Sequence, residues 1–181
     1  MKSPLYVAID TPDLAKAQHL AGQVRHHVGG LKLGLEFFCA NGHHGVHEMM
    51  KFGLPIFLDL KFHDIPNTVA QAVRSAANLG VWMVNVHASG GMEMMKAAKN
   101  AIAGSSHPQT KLIAVTVLTS MDQAQLNDVV PEVSPAEQVK KLAQLTADSG
   151  LDGVVCSAKE AVMLRETHND EFLFHIRHVL Y

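Results

Sequence analysis

Three charged side chains fall within six residues at the end of one apolar segment. Asp59 and Lys61 are separated by a single residue, and Asp64 follows shortly before Pro66. Removing a charge from water costs free energy unless the charge is paired. Three charges placed together at a strand end are therefore expected to have a function. The spacing therefore favours a functional site at this strand end over a purely structural network of ion pairs.

Polar residues also occur at the ends of other short apolar segments. Because side chains alternate along a strand, Phe57, Asp59 and Lys61 share one face, and the Cα atoms of the two charged residues lie about 7 Å apart. Comparable inner positions in other segments hold Asp10, Lys32, Asn85 and His87. We expect these side chains to converge on one mouth of a sheet. For Asp10 and Lys32 taken alone, a structural ion-pair network is an equally good interpretation.

The elements that position these residues alternate between strand and helix, which predicts βα units and a parallel sheet. The predicted strands span residues 5–9, 31–33, 56–60, 81–86, 111–118, 154–156 and 171–174. A first helix is predicted to start with Thr11 as its cap and Pro12 in its first turn. The other predicted helices span residues 42–52, 67–79, 91–103, 134–148 and 158–166. Pro66 opens the helix at 67–79, and a capping box opens the helix at 134–148.

Doubly wound sheets and barrels both produce this alternation. Polar residues at the C-terminal ends of inner strand faces favour a barrel, because active sites of such barrels lie at that end. We therefore predict an α/β fold, a TIM-type (β/α)8 barrel with the last one to two βα units missing or altered. The absence of a linker or a shift in composition predicts one domain over residues 1–181, incomplete at the C-terminus.

Composition excludes several classes of protein. The formal net charge is -2, so no basic field favours nucleic acid or an anionic membrane. No apolar run approaches the ~20 residues of a membrane helix, and the apolar start of the chain is too short for a signal peptide. Cys39 and Cys156 lack metal-ligand spacing, which favours a reduced cytoplasmic protein.

A histidine cluster offers one alternative kind of site. His43 and His44 have helical spacing to His47, so a metal site is conceivable. Only one carboxylate, that of Glu48, lies nearby. We therefore interpret the cluster as a solvated helix start and expect no metal.

The segment Leu58–Val69, which reads LDLKFHDIPNTV, closely resembles the signature of the bacterial type of orotidine 5'-phosphate decarboxylases. Its pattern, Asp-x-Lys-x-x-Asp-Ile-Pro-x-Thr, is long and specific. The resemblance covers about residues 4–174. Further matching segments are Val7–Asp10, Leu31–Gly34, His87–Gly91 and Val115–Ser120.

The resemblance implies a cofactor-free decarboxylase that makes uridine 5'-phosphate in the last step of de novo pyrimidine synthesis. Lys32, Asp59, Lys61 and Asp64 would form a charged chain, in which Lys61 protonates C6 of the pyrimidine. Asp64 would reach into the site of a neighbouring subunit, so the expected assembly is a homodimer with shared active sites.

The same resemblance implies the substrate contacts. Asp10 and Lys32 would contact the ribose, Asp59 would lie beside the substrate carboxylate, and Thr119 would lie by the pyrimidine. Thr68 would contact substrate across the dimer.

The C-terminal segment departs from the family pattern. Ile176-Arg177 echoes a Pro-Gly-Ile-Arg segment without its Pro-Gly, so no phosphate role is assigned to Arg177, and the family's phosphate-binding glutamine, glycine and arginine have no counterpart. A truncated or frameshifted product, less stable than a full-length relative, is the preferred interpretation. The alternatives are an inactive remnant of the family and a magnesium-dependent relative that uses the same Asp-x-Lys-x-x-Asp triad on sugar phosphates.

Overall fold

Seven parallel strands form one sheet in the computed structural model, which describes residues 3–176. Each strand pairs in parallel with the next strand along the chain. The strands are β1 (Tyr6–Ile9), β2 (Gly30–Gly34), β3 (Ile56–Phe62), β4 (Met83–His87), β5 (Lys111–Val115), β6 (Gly153–Cys156) and β7 (Leu173–Ile176).

Helices connect the successive strands and cover the outside of the sheet. They are α1 (Leu14–Val24), α2 (Leu35–Met50), α3 (Pro66–Asn78), α4 (Gly91–Ala103), α5 (Gln123–Asn127), α6 (Pro135–Asp148) and α7 (Ala158–Arg165), with a short 3₁₀ helix at Ala88–Gly90. Within residues 3–176, none of these helices combines the length and the apolar character needed to cross a bilayer.

The strand order distinguishes a barrel from a doubly wound sheet. A doubly wound sheet reverses its strand order at a switch point, whereas this sheet keeps the order of the chain from β1 to β7. Two ring contacts show that the sheet also curls. The ring of His175 on β7 lies 4.8 Å from the ring of Phe57 on β3 and 6.1 Å from that of Tyr6 on β1. The predicted TIM-type barrel architecture is confirmed for the seven strands described.

Alternation along the strands divides the core into two layers. Leu58 and Leu60 point outward and join the large cluster packed between the sheet and the helices. Phe57 points inward and joins a smaller cluster with apolar residues of β4, β5 and β6. The inner layer fills the barrel beneath the C-terminal ends of the strands, so polar side chains at those ends sit above an apolar floor.

The first helix begins later than predicted. Asp13, not Thr11, is its N-terminal cap, because the Asp13 carboxylate accepts a hydrogen bond of 3.0 Å from the backbone N–H of Lys16. The Thr11 hydroxyl instead accepts from the backbone N–H of Asp13 at 3.3 Å.

Helix α2 starts at Leu35, well before the predicted start near Gly42. Gly42 has a φ of 56° and interrupts the helical backbone, so the part of α2 after Gly42 carries a helical pattern of its own. The short helix α5 was not predicted. It is closed by a capping box between Asp122 and Gln125, a local signal that was missed because only five residues follow the cap.

Candidate active site

Strand β3 brings Asp59 and Lys61 to the mouth of the barrel. The pairing of β3 with β4 shifts register between Leu58 and Phe62, and Lys61 has a φ of 53°, in the left-handed region that non-glycine residues rarely adopt. Despite this irregularity, the Lys61 Nζ lies 2.7 Å from the Asp59 Oδ1. The backbone is thus held in an unfavourable conformation at the residue with the proposed chemistry, a common feature of functional sites.

Four charged residues form a chain of ion pairs from β1 to β3. Asp59 is buried and holds Lys61 at 2.7 Å, while its second oxygen lies 3.5 Å from the Nζ of Lys32. Lys32 in turn lies 3.5 Å from the carboxylate of Asp10, which is mostly exposed. The structure therefore brings together four of the residues predicted from the sequence, with Asp59 at the centre.

Asn85 on β4 completes this arrangement; the sequence placed it on an inner strand face but assigned it no role in the site. Its side chain is fully buried, and its amide donates a hydrogen bond of 2.7 Å to the Asp59 Oδ1. Its carbonyl oxygen accepts a hydrogen bond of 2.8 Å from the backbone N–H of Lys61. Asn85 thus fixes both the carboxylate and the irregular backbone of the lysine. A polar residue in the middle of a buried apolar strand was the signal that could have identified it.

The charge state of Asp59 follows from these contacts. Burial raises the pKa of Asp59, but the hydrogen bond and charge of Lys61, the hydrogen bond of Asn85 and the charge of Lys32 together hold that pKa below its usual range. Asp59 is therefore a carboxylate at neutral pH, and it keeps a cation beside it.

A cavity opens above the apolar floor and next to Asp59. Its empty volume is about 360 Å³, part of which is open to solvent. Its lining residues come from β2, β3, β5, β6, β7 and the segment after β5; they are Lys32, Phe57, Asp59, Lys61, Val115, Val117, Leu118, Thr119, Val155 and His175. The buried Thr119 hydroxyl has no hydrogen-bond partner within residues 3–176, so a ligand in the cavity can satisfy it.

Asp64 and Thr68 lie away from this cavity within the protomer. Both residues are exposed, and the Asp64 carboxylate accepts a hydrogen bond of 2.6 Å from the backbone N–H of Ile65. Thr68 lies in the first turn of α3. Their contribution to a neighbouring site stays a prediction.

The histidine cluster and Arg177 are the other residues considered in the sequence. His43, His44 and His47 are all exposed on α2, as expected of a solvated helix. In the described part of the chain, no three His, Cys, Asp or Glu side chains are grouped so as to hold a metal ion. Arg177 lies outside the described residues.

The arrangement suits one kind of chemistry. An ammonium is fixed at the edge of a largely apolar cavity by a buried carboxylate, and a second cation supports that carboxylate from β2. Such a group stabilises negative charge that develops on a bound ligand and can deliver a proton to it.

Comparison with known proteins identifies relatives that share this framework. The family model described as "Orotidine 5'-phosphate decarboxylase / HUMPS family" matches residues 3–179. The chain is 58% identical over 166 residues to the orotidine 5'-phosphate decarboxylase of Sphingopyxis alaskensis, an alignment that covers 92% of this chain and 72% of the relative. It is 52% identical over 172 residues to the enzyme of the same name from Novosphingobium aromaticivorans, covering 95% and 75%.

A solved structure with the name of the same enzyme also resembles this chain. The crystal structure of orotidine 5'-phosphate decarboxylase from Lactobacillus acidophilus superposes with a TM-score of 0.86 at 39% identity, covering 95% of this chain and 79% of that one. These relatives carry the name of the nucleotide decarboxylase, which favours that activity over the sugar-phosphate alternative.

Proposed function

Because the chain belongs to the orotidine 5'-phosphate decarboxylase / HUMPS family, we propose that it is a lyase that converts orotidine 5'-phosphate to uridine 5'-phosphate and CO₂. This reaction is the last step of de novo pyrimidine synthesis. The observation that carries the proposal is the Lys61 ammonium, held 2.7 Å from the buried Asp59 carboxylate at the edge of the cavity.

Lys61 is the proposed proton donor. When the bond between C6 and the carboxylate breaks, its electron pair stays on C6, an sp² carbon with little delocalisation. An ammonium fixed beside C6 stabilises that pair in a site of low dielectric and then transfers a proton to it. Lys61 regains its proton from solvent. No organic cofactor or metal takes part in this proposal.

Asp59 has two proposed roles. It keeps Lys61 charged and oriented, which its depressed pKa allows. It also lies where the substrate carboxylate would approach, so repulsion in the ground state is relieved as CO₂ departs. Lys32 limits that repulsion by neutralising part of the Asp59 charge.

The other proposed contacts orient the nucleotide. Asp10 and Lys32 contact the ribose from β1 and β2, and the Thr119 hydroxyl faces the pyrimidine. Asp64 and Thr68 act in the site of a second subunit. Their exposure, together with that of the apolar Ile65 between them, supports a homodimer that shares its active sites. We further propose that the protein acts in the cytoplasm as one catalytic domain.

The test is the loss of absorbance on adding orotidine 5'-phosphate to the purified protein, with and without a metal chelator. We expect turnover that is insensitive to the chelator and is abolished by Lys61→Ala, because that change removes both the stabilising charge and the proton. Lys51→Ala is the matched control, since Lys51 is exposed on the outer surface beside Glu48.

Lys61→Ala should leave the circular dichroism spectrum close to that of the wild type and the protein folded at the assay temperature. Turnover in the folded Lys61→Ala variant would contradict the central role of this lysine. A folded wild-type protein without turnover would contradict the proposed activity.

A further inference from the structure

His175 lines the cavity, and the mechanism above does not use it. It lies on β7, where it pairs with Val155 of β6. Alternation on this short strand puts Leu173 against the apolar interior of the barrel and Phe174 among the residues packed on the helices. His175 therefore has the inward orientation of Leu173, one step closer to the mouth.

Aromatic contacts hold the His175 ring in place. Its centroid lies 4.8 Å from that of Phe57 at an interplanar angle of 71°, and 6.1 Å from that of Tyr6 at 76°. Both are edge-to-face geometries, which fix the plane of the imidazole through its carbon framework. Within residues 3–176 the ring nitrogens make no hydrogen bond that would compete with one to a ligand. The ring is thus positioned by packing, while its nitrogens have no hydrogen-bond partner among residues 3–176.

The surroundings favour an uncharged imidazole. Burial lowers the pKa of His175, the carboxylate of Asp59 on β3 raises it and the ammonium of Lys32 on β2 lowers it again, with a net decrease. The phenol of Tyr6 faces it from β1. A neutral imidazole carries one N–H donor and one nitrogen acceptor.

The charged and the neutral polar groups of the cavity come from different strands. Its charged groups, Lys32, Asp59 and Lys61, all come from β2 and β3. Its neutral polar groups are Thr119, after β5, and His175, on β7. Orotidine 5'-phosphate has the same division, because its carboxylate and phosphate are charged whereas the carbonyls, N–H group and hydroxyls of the nucleoside portion are neutral.

We propose that His175 is a further substrate-binding residue, which hydrogen-bonds a neutral carbonyl or hydroxyl of the nucleoside portion from the β7 side of the cavity. The inference rests on the proposed function and assigns to β7 a role in holding the substrate. Since the contact is made equally before and during bond breaking, it contributes to binding and not to the chemical step.

The test compares His175→Phe with His175→Gln in the full chain. Phenylalanine keeps the contacts with Phe57 and Tyr6 but has no polar atom, whereas glutamine keeps a donor and an acceptor. The probe is uridine 5'-phosphate, titrated by calorimetry at neutral pH. We expect His175→Phe to weaken binding roughly three- to tenfold and His175→Gln to restore most of the affinity, as for the loss and recovery of one neutral hydrogen bond.

Kinetics provide a second measurement. His175→Phe should raise KM for orotidine 5'-phosphate by a similar factor and leave kcat nearly unchanged. In the wild type, uridine 5'-phosphate should shift the imidazole proton resonance of His175, identified by its absence from the His175→Gln spectrum. That readout does not depend on how well His175→Phe folds.

The outcomes separate this inference from the proposed function. Uridine 5'-phosphate affinity unchanged in both variants, or an unmoved His175 resonance, overturns the inference while leaving the activity intact. Weaker binding by His175→Phe in a protein that does not decarboxylate orotidine 5'-phosphate supports the inference and contradicts the activity. Absence of uridine 5'-phosphate binding by the wild type overturns the inference, and the activity is contradicted only if turnover of orotidine 5'-phosphate is absent as well.

Discussion

At the scale of single residues, one carboxylate organises the site. The Asp59 Oδ1 accepts hydrogen bonds from both Lys61 and Asn85, each at 2.7 Å, and its Oδ2 faces Lys32. Charge-assisted hydrogen bonds of this kind are about twice as strong as neutral ones, so the position of the ammonium is well defined. The lysine is held at both ends, because Asn85 also accepts its backbone N–H.

Asn85→Ala tests this arrangement. The change removes a donor that lowers the pKa of Asp59, so that pKa should rise and the acid limb of activity should move to higher pH. We expect kcat to fall roughly 10- to 100-fold at neutral pH, as for the loss of a hydrogen bond to a charged group. The measurement is a pH–rate profile, with the exposed Asn100→Ala on α4 as control. Identical profiles for Asn85→Ala and wild type would exclude this role.

At the scale of elements, a second ion-pair cluster ties strands to a helix at the opposite end of the barrel. The Asp152 carboxylate, just before β6, lies 2.6 Å from the Nζ of Lys99 on α4 and 3.1 Å from that of Lys111 on β5. It also accepts the backbone N–H of Leu112 at 2.9 Å. Burial raises the pKa of Asp152, but these hydrogen bonds lower it overall. An ion-pair cluster at the N-terminal face of a barrel serves stability, because the chemistry takes place at the C-terminal face.

Asp152→Ala should therefore destabilise the protein without changing the site. We expect the free energy of unfolding in urea to fall by about 2 kcal/mol, because two ammonium groups and a backbone N–H lose their partner. KM for orotidine 5'-phosphate should stay within the error of the wild-type value. Asp128→Ala, on an exposed turn after α5, is the control. A stability equal to that of the control would show that the cluster contributes nothing.

At the scale of the whole molecule, the site described within one protomer lacks Asp64. This residue is exposed beside Ile65, which is 66% exposed, just before α3. In the proposed homodimer, the second subunit covers both this apolar residue and the neighbouring carboxylate. The proposed homodimer places Asp64 of each subunit at the Lys61 of the other.

Mixed dimers test this assembly. Lys61→Ala and Asp64→Ala homodimers should each be inactive or nearly so. In a mixed dimer, one site has both defects, while the other combines an intact Lys61 with an intact Asp64. With random exchange of subunits, activity should return to roughly a quarter of the wild-type value. Failure to recover activity, with subunit exchange verified by a tagged subunit, would place Asp64 outside the neighbouring site.

The sequence by itself determined the features that depend on neighbouring residues. The alternation Phe57, Asp59, Lys61 predicted which side chains enter the barrel, since a strand repeats every two residues. The capping box of Ser134 and Glu137 predicted the start of α6 at the correct residue. The alternation of strands and helices predicted a parallel α/β fold, and the polar strand ends favoured a barrel and predicted its active face.

Only the tertiary structure decided the contacts that join distant strands. The hydrogen bonds of Asn85 to Asp59 and Lys61 depend on how β4 is registered against the irregular end of β3. The approach of His175 to Phe57 depends on how far the sheet curls between β3 and β7. Register and curvature are set by the packing of every strand and helix together, so no local stretch of sequence contains them.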